Sequence, residues 1–169
     1  MPEVTLITGG GRSGKSSEAL TIAAPYARKA FIATAMPFDD EMQKRIDNHK
    51  RERDGSFTTI EEPLDLAGAL GSLSGRFDAA IIDCLPVWLG NCLHLCPNEL
   101  PARIDALTAA IESAPCDLII VTNEVGMGII PDNELSRHYR DMLGSLNQRI
   151  ASLASRVILM VCGIPVSVK

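Results

Sequence analysis

Residues Gly9-Gly10-Gly11-Arg12-Ser13-Gly14-Lys15-Ser16 fit the pattern G-x-x-x-x-G-K-[ST]. Each residue type in it has a chemical reason. Glycines let successive backbone N–H groups curl around phosphate oxygens. A helix beginning near Lys15 turns its positive end toward the anion. Lys15 supplies a charge that reaches β- and γ-phosphates, and the Ser16 hydroxyl is a ligand for Mg²⁺. A β-rich run precedes the loop and a helical run follows it, which is the setting this chemistry requires. The segment therefore predicts a nucleoside triphosphate site and leaves the base and the acceptor open.

Such a loop works with a second acid on a neighbouring strand, which holds the metal through water. Asp83, at the end of Ala79–Asp83, is the natural candidate, and a turn aspartate at a strand end is the alternative. His49 belongs to a second chemical group. It lies in 39–54, where eleven of sixteen residues are charged, six acidic and five basic. Met42, Ile46 and His49 share one helical face there. Read without context the segment is a solvated amphipathic helix. The sharper reading has His49 projecting from the inward face of a helix near a ligand. Glu124, between Asn123 and Gly126, follows the fourth strand, at the edge where open α/β sheets bind ligands. A strand-capping turn explains it equally well. Cys92-x-His94-x-Cys96 has two thiols and an imidazole but no fourth ligand and no paired-cysteine spacing, so it reads as packing rather than zinc.

The elements that must position these groups are short apolar runs alternating with helical patterns. Strands are expected at 4–8, 30–35, 79–83, 118–122 and 157–161, each a continuous apolar run suited to a parallel sheet covered on both faces. Helices are expected over 15–27, along Leu100, Ile104, Leu107 and Ile111, and along Leu135, Tyr139, Met142, Leu146, Ile150 and Leu153. Pro131, Asp132 and Asn133 supply a stop and cap before the last of these. This order predicts a P-loop NTPase-type α/β fold, RecA-like, with a mostly parallel sheet of five or more strands flanked by helices. Residues 1–169 are expected to form one domain, since 169 residues suit one and no repeat or linker interrupts them.

Composition narrows the function classes. The formal net charge is −5, which argues against a protein that coats nucleic acid. Aromatic residues make up only 4%, too few for base-stacking platforms. No apolar run approaches the roughly 20 residues of a membrane span, and no signal peptide is visible. Five cysteines, an odd number, suit reduced buried thiols and a cytoplasmic location better than a disulfide scaffold.

Four segments together resemble the bifunctional adenosylcobinamide kinase / adenosylcobinamide-phosphate guanylyltransferase family of cobalamin biosynthesis. They are TGGGRSGKS (8–16), FIATAMPFDDEMQKRIDNHKRER (31–53), IIDCLPVWLGN (81–91) and VTNEVGMGIIPDNELSRHYRDMLGSLNQRIA (121–151). The phosphate loop is common to many families, whereas N-E-V-G-x-G-I-[IV]-P and R-I-x-x-H-K are much narrower.

The resemblance implies two reactions: phosphorylation of adenosylcobinamide by ATP or GTP, then transfer of GMP from GTP to adenosylcobinamide phosphate through a guanylylated histidine. The matching histidine is His49. Implied nucleotide contacts are Gly9, Gly10, Gly11, Arg12, Ser13, Gly14, Lys15 and Ser16, then Thr34, Ala35 and Met36. Lys50, Arg51, Glu52, Arg53, Glu61 and Asp83 complete them, with Lys15 and Asp83 also catalytic. Beside these implied contacts, the loop chemistry itself makes Ser16 and Asp83 the candidate Mg²⁺ ligands, and their place at the sheet edge makes Asn123, Glu124 and Gly126 candidate substrate contacts. A homotrimer is implied as well. The alternatives are a P-loop small-molecule kinase without guanylyl transfer, which needs no His49, and a GTP-binding regulatory switch.

Overall fold

The computed structural model describes residues 2–37 and 55–169. Its centre is one seven-stranded sheet: β1 (Val4–Gly9), β2 (Lys29–Ala33), β3 (Phe57–Glu61), β4 (Ala79–Asp83), β5 (Asp117–Val121), β6 (Arg156–Val161) and β7 (Ile164–Ser167). The order across the sheet is β3-β2-β4-β5-β1-β6-β7. All pairings are parallel except β6–β7.

The five expected strands form β1, β2, β4, β5 and β6. Their side chains alternate between two buried faces, as a covered parallel sheet requires. Leu6, Ile32, Ile82, Leu118 and Ile120 face one layer, while Ile7, Phe31, Ile81, Ile119 and Ile158 face the other. The second face is covered by α1 (Lys15–Ala23), whose Ala19 and Ala23 pack flat against β1, β4 and β5. The first face carries α2 (Leu66–Gly71), α3 (Leu85–Leu95), α4 (Leu100–Glu112) and α5 (Glu134–Leu153).

Several boundaries differ from the sequence reading. α1 ends at Ala23 rather than near residue 27. Ala24 still has helical dihedrals, its N–H bonding to the Thr21 carbonyl at 3.3 Å, but Pro25 follows and has no N–H with which to continue the ladder. β2 stops at Ala33, because Thr34 turns its N–H and hydroxyl to the backbone of Asp83 and Cys84. Asn133 caps α5 as expected, its side chain accepting from the Ser136 N–H at 2.7 Å. Leu146 and Ile150 of the expected α5 face are buried, but Leu135, in the first turn, is 72% exposed.

β3, β7, α2 and α3 were not foreseen. β6 and β7 form a hairpin whose two turn residues, Cys162 (φ 51°) and Gly163 (φ 81°), both have positive φ. That is the turn whose twist suits a two-residue hairpin.

Candidate functional site

Every strand that carries a candidate residue presents it at the carboxyl edge of the sheet. β1 runs into the loop 9–16, β4 ends at Asp83 and β5 leads to Asn123. Because α1 crosses over β5, a residue in its first turn reaches the end of β4. Ser16 is that residue, and its Oγ donates to Asp83 Oδ2 at 2.9 Å.

The loop has a defined shape. Gly9 (φ 147°) and Gly14 (φ 96°) hold positive φ, and Arg12 lies in the left-handed region at φ 56°. A side chain on Gly9 would come within 2.7 Å of the Met160 carbonyl oxygen and 2.8 Å of Ser13 Oγ, so this glycine is sterically required. The loop is tied on two sides. The Glu124 N–H donates to the Gly9 carbonyl at 3.0 Å, and the Gly163 N–H in the β6–β7 turn donates to the Ser13 carbonyl at 3.0 Å.

Lys15 is only 8% exposed. Its ammonium donates to the Gly10 carbonyl and, at 3.4 Å, to Ser13 Oγ. Burial lowers its pKa from the usual value, opposed by the negative charge of neighbouring Asp83. Burial likewise pushes the Cys84 thiol up to about 12. The loop, Asp83, Cys84, Val121 and Asn123 enclose a cleft of about 480 Å³, the right scale for a small-molecule site.

The remaining sequence-derived residues fall as follows. Thr34 is fully buried, its hydroxyl donating to the Cys84 carbonyl at 2.9 Å and accepting from the Cys84 N–H at 2.8 Å. Its side chain therefore shapes the wall behind the cleft. Ala35 and Met36 follow it, half-buried. Glu61 ends β3 and is exposed, in register with Ala33 and, through it, with Asp83. Two strand spacings separate Glu61 from Asp83, about 10 Å. Glu124 Oε1 accepts from the Gly126 N–H at 2.8 Å, and both residues line a neighbouring cleft of about 290 Å³ rather than the one around Lys15. His49, Lys50, Arg51, Glu52 and Arg53 lie outside the described residues.

Two asparagines that the sequence reading passed over hold this edge together. Asn147 on α5 accepts from the Thr122 hydroxyl at 2.7 Å and donates from Nδ2 to the Asn123 carbonyl at 3.0 Å. Asn91 on α3, 3% exposed, donates to the Thr34 carbonyl at 2.8 Å and to the Pro63 carbonyl at 3.2 Å. The detectable signal for Asn91 was an amide inside the otherwise apolar run LPVWLGNCLHL. Buried amides are kept where they satisfy backbone groups.

Among the described residues, no three His, Cys, Asp or Glu side chains gather into a metal cage. The Ser16–Asp83 pair offers instead the sparse, hard oxygen donors that suit Mg²⁺, an ion that keeps several waters and takes the rest of its shell from phosphates.

Comparison with known proteins bears on the fold and the family. Solved structures share the fold at low identity. An ATPase of a bacterial type III secretion system matches 98% of this chain and 56% of its own, with a TM-score of 0.60 at 10% identity. A Pyrococcus horikoshii protein matches 99% and 86%, with a TM-score of 0.55 at 8% identity. Closer in sequence is the bifunctional adenosylcobalamin biosynthesis protein CobP of Pseudomonas aeruginosa, 42% identical over 97% of this chain and 96% of its own length. The corresponding CobU protein of Salmonella typhimurium is 36% identical over 97% and 98%. A family model described as cobinamide kinase / cobinamide phosphate guanyltransferase matches residues 5–168. A match over almost the entire length, together with relatives of this identity, means that the chain belongs to the cobinamide kinase / cobinamide phosphate guanyltransferase family.

Proposed function

We propose that this chain carries both activities of its family. In the first, the aminopropanol hydroxyl oxygen of adenosylcobinamide attacks the γ-phosphorus of ATP or GTP. The bond to the β–γ bridging oxygen breaks, the nucleoside diphosphate leaves and the hydroxyl proton is released. In the second, a His49 ring nitrogen attacks the α-phosphorus of GTP and pyrophosphate leaves. A phosphate oxygen of adenosylcobinamide phosphate then attacks the histidine-bound GMP, giving adenosylcobinamide-GDP and freeing the imidazole. Splitting the transfer through a covalent intermediate replaces one hard step by two easier ones.

The observation that carries this reading is the 2.9 Å Ser16–Asp83 contact beneath a glycine loop with a buried lysine, in a chain of this family. The loop N–H groups bind and orient the phosphates. Lys15 exchanges the Gly10 carbonyl and Ser13 hydroxyl for phosphate oxygens, where its charge offsets that developing on the transferred group. Ser16 and Asp83 would hold Mg²⁺, which supplies further charge neutralisation when bound. Arg12 and the cations at 50, 51 and 53 are the further nucleotide contacts in this reading, with Ala35, Met36, Glu52 and Glu61, while Thr34, fully buried, supports the cleft wall from behind. Asn123, Glu124 and Gly126 face the acceptor. Among the described residues no helix is long and apolar enough to cross a membrane. A cytoplasmic homotrimer completes the proposal.

The test is incubation with GTP labelled at the α-phosphate, with Mg²⁺ and no acceptor. Acid-labile, alkali-stable label that maps to His49 and disappears in His49→Ala is the expected result. His49→Ala should retain phosphorylation of adenosylcobinamide. No label on protein that binds GTP would reduce the proposal to a P-loop kinase, and no cobinamide-dependent turnover at all would leave a GTP-binding switch.

A further inference from the structure

Three residues beyond Asn123 the chain becomes exposed and apolar. Met127 is 80% exposed, Ile129 97% and Ile130 64%, and Leu135 at the start of α5 is 72%. Isolated exposed apolar side chains are ordinary, but several together on one segment mark a binding surface. This segment is also held at both ends. Asn147 clamps Thr122 and Asn123 at its start. Arg137 Nη1 donates to the Pro131 and Asp132 carbonyls, at 3.0 and 2.7 Å, at its end. Beside it lies the 290 Å³ cleft, whose walls are polar: Glu124, Arg140, Asp141 and Gln148.

We infer that this loop and its adjoining cleft seat the corrin ring of the acceptor, the apolar tip lying against a face of the macrocycle and the polar cleft receiving its peripheral amides. The inference rests on the proposed function and names the acceptor's place within it. A cobinamide reaches a γ-phosphate with its aminopropanol arm, so the body of the molecule stays outside the phosphate cleft on the adjoining rim. Asn123 lines the phosphate cleft and Glu124 the neighbouring one, so the rim at this point is continuous with the loop. The chemistry matches on both counts, because a corrinoid combines apolar ring faces with an edge of hydrogen-bonding amides. A second copy of the chain is a poorer occupant. Four apolar side chains are few against the roughly 20–30 residues per side of a stable protein interface.

The experiment compares the intact chain with the double variant Met127→Ser/Ile129→Ser. Both side chains are exposed, so the fold does not depend on them. Kinase assays give KM for adenosylcobinamide and for nucleotide separately, and sedimentation gives the assembly state. The expected result is a KM for adenosylcobinamide raised at least about tenfold, with KM for nucleotide within about twofold and melting temperature unchanged. An unchanged KM for adenosylcobinamide overturns the inference and leaves the proposed function standing. Dissociation of an oligomer with that KM unchanged overturns it in favour of a second copy. If the unaltered chain does not phosphorylate adenosylcobinamide at all, the functional reading falls and the inference falls with it.

Discussion

Asn147 joins the end of β5 to α5, and its removal has a cost that can be worked from the structure. Leucine has nearly the same shape as asparagine and no hydrogen bonds. Asn147→Leu leaves the Thr122 hydroxyl, in a residue with no exposed surface, without its acceptor. An unsatisfied buried donor costs about 1–3 kcal/mol. The Asn123 carbonyl loses its partner too, but it is half-buried, so water replaces most of that bond. The sum is about 2 kcal/mol. For a chain of this size that lowers Tm by about 4–8 °C. Thr122→Val takes away the donor instead and strands only the half-exposed Asn147 amide, so it costs about 1 kcal/mol. In the double variant neither polar group is left without the other. The two losses then fail to add, with a coupling of about 1 kcal/mol, which urea titration of all four proteins measures. Additivity within about 0.3–0.5 kcal/mol would refute the reasoning, since independent sites add to that precision.

Gly9→Ala should abolish nucleotide binding and lower stability, because the added methyl meets the Met160 carbonyl and Ser13 Oγ below 3.0 Å at a φ that alanine avoids; nucleotide titration monitored by calorimetry checks it. Native-state thiol labelling at pH 8 should modify exposed Cys162 first and spare Cys92 and Cys116 until unfolding, since burial holds those two thiols protonated with pKa values of about 12 and 11. Both tyrosines should ionise late in a spectrophotometric titration. A hydrogen bond to Asp117 raises Tyr26 to about 12, and burial raises Tyr139 to about 12. Each folded pKa exceeds its unfolded value near 10, so the contribution to stability is complete below pH 10 and is lost as pH rises toward 12. Urea midpoints at pH 8 and pH 11 should fall in that order, and Tyr139→Phe should flatten the difference.

The strands that were legible are those buried on both faces, where the chain writes an unbroken apolar run. β3 and β7 were missed because they are the two edges of the sheet. Phe57-Thr58-Thr59-Ile60-Glu61 has neither an apolar run nor a regular alternation, Thr58, Thr59 and Glu61 being exposed, and β7 is exposed throughout and contains Pro165. An edge strand tolerates proline because it leaves one row of N–H groups unpaired. α3 was missed for the opposite reason. Leu85, Pro86, Trp88, Leu89 and Cys92 are all buried, so the helix has almost no polar face to create a period. The phosphate loop could be read because its chemistry is contiguous in sequence, and Asp83 because strand ends converge on one edge. Asn91 and Asn147 could not, since their partners lie 57 and 25 residues away and exist only once α3 and α5 have packed. His49, which lies outside the described residues, is singled out only through family resemblance, as one histidine on a charged helix pattern carries little information by itself.

The two backbone latches on the phosphate loop, from Glu124 to Gly9 and from Gly163 to Ser13, have a consequence for the energetics of ligand capture. They restrain the conformation of the loop from its neighbours on either side while the protein folds, before any nucleotide arrives. The entropy of arranging its N–H groups is thus lost at folding and not again at each encounter. A substrate meets a socket already shaped, and most of the attraction it feels is left for affinity.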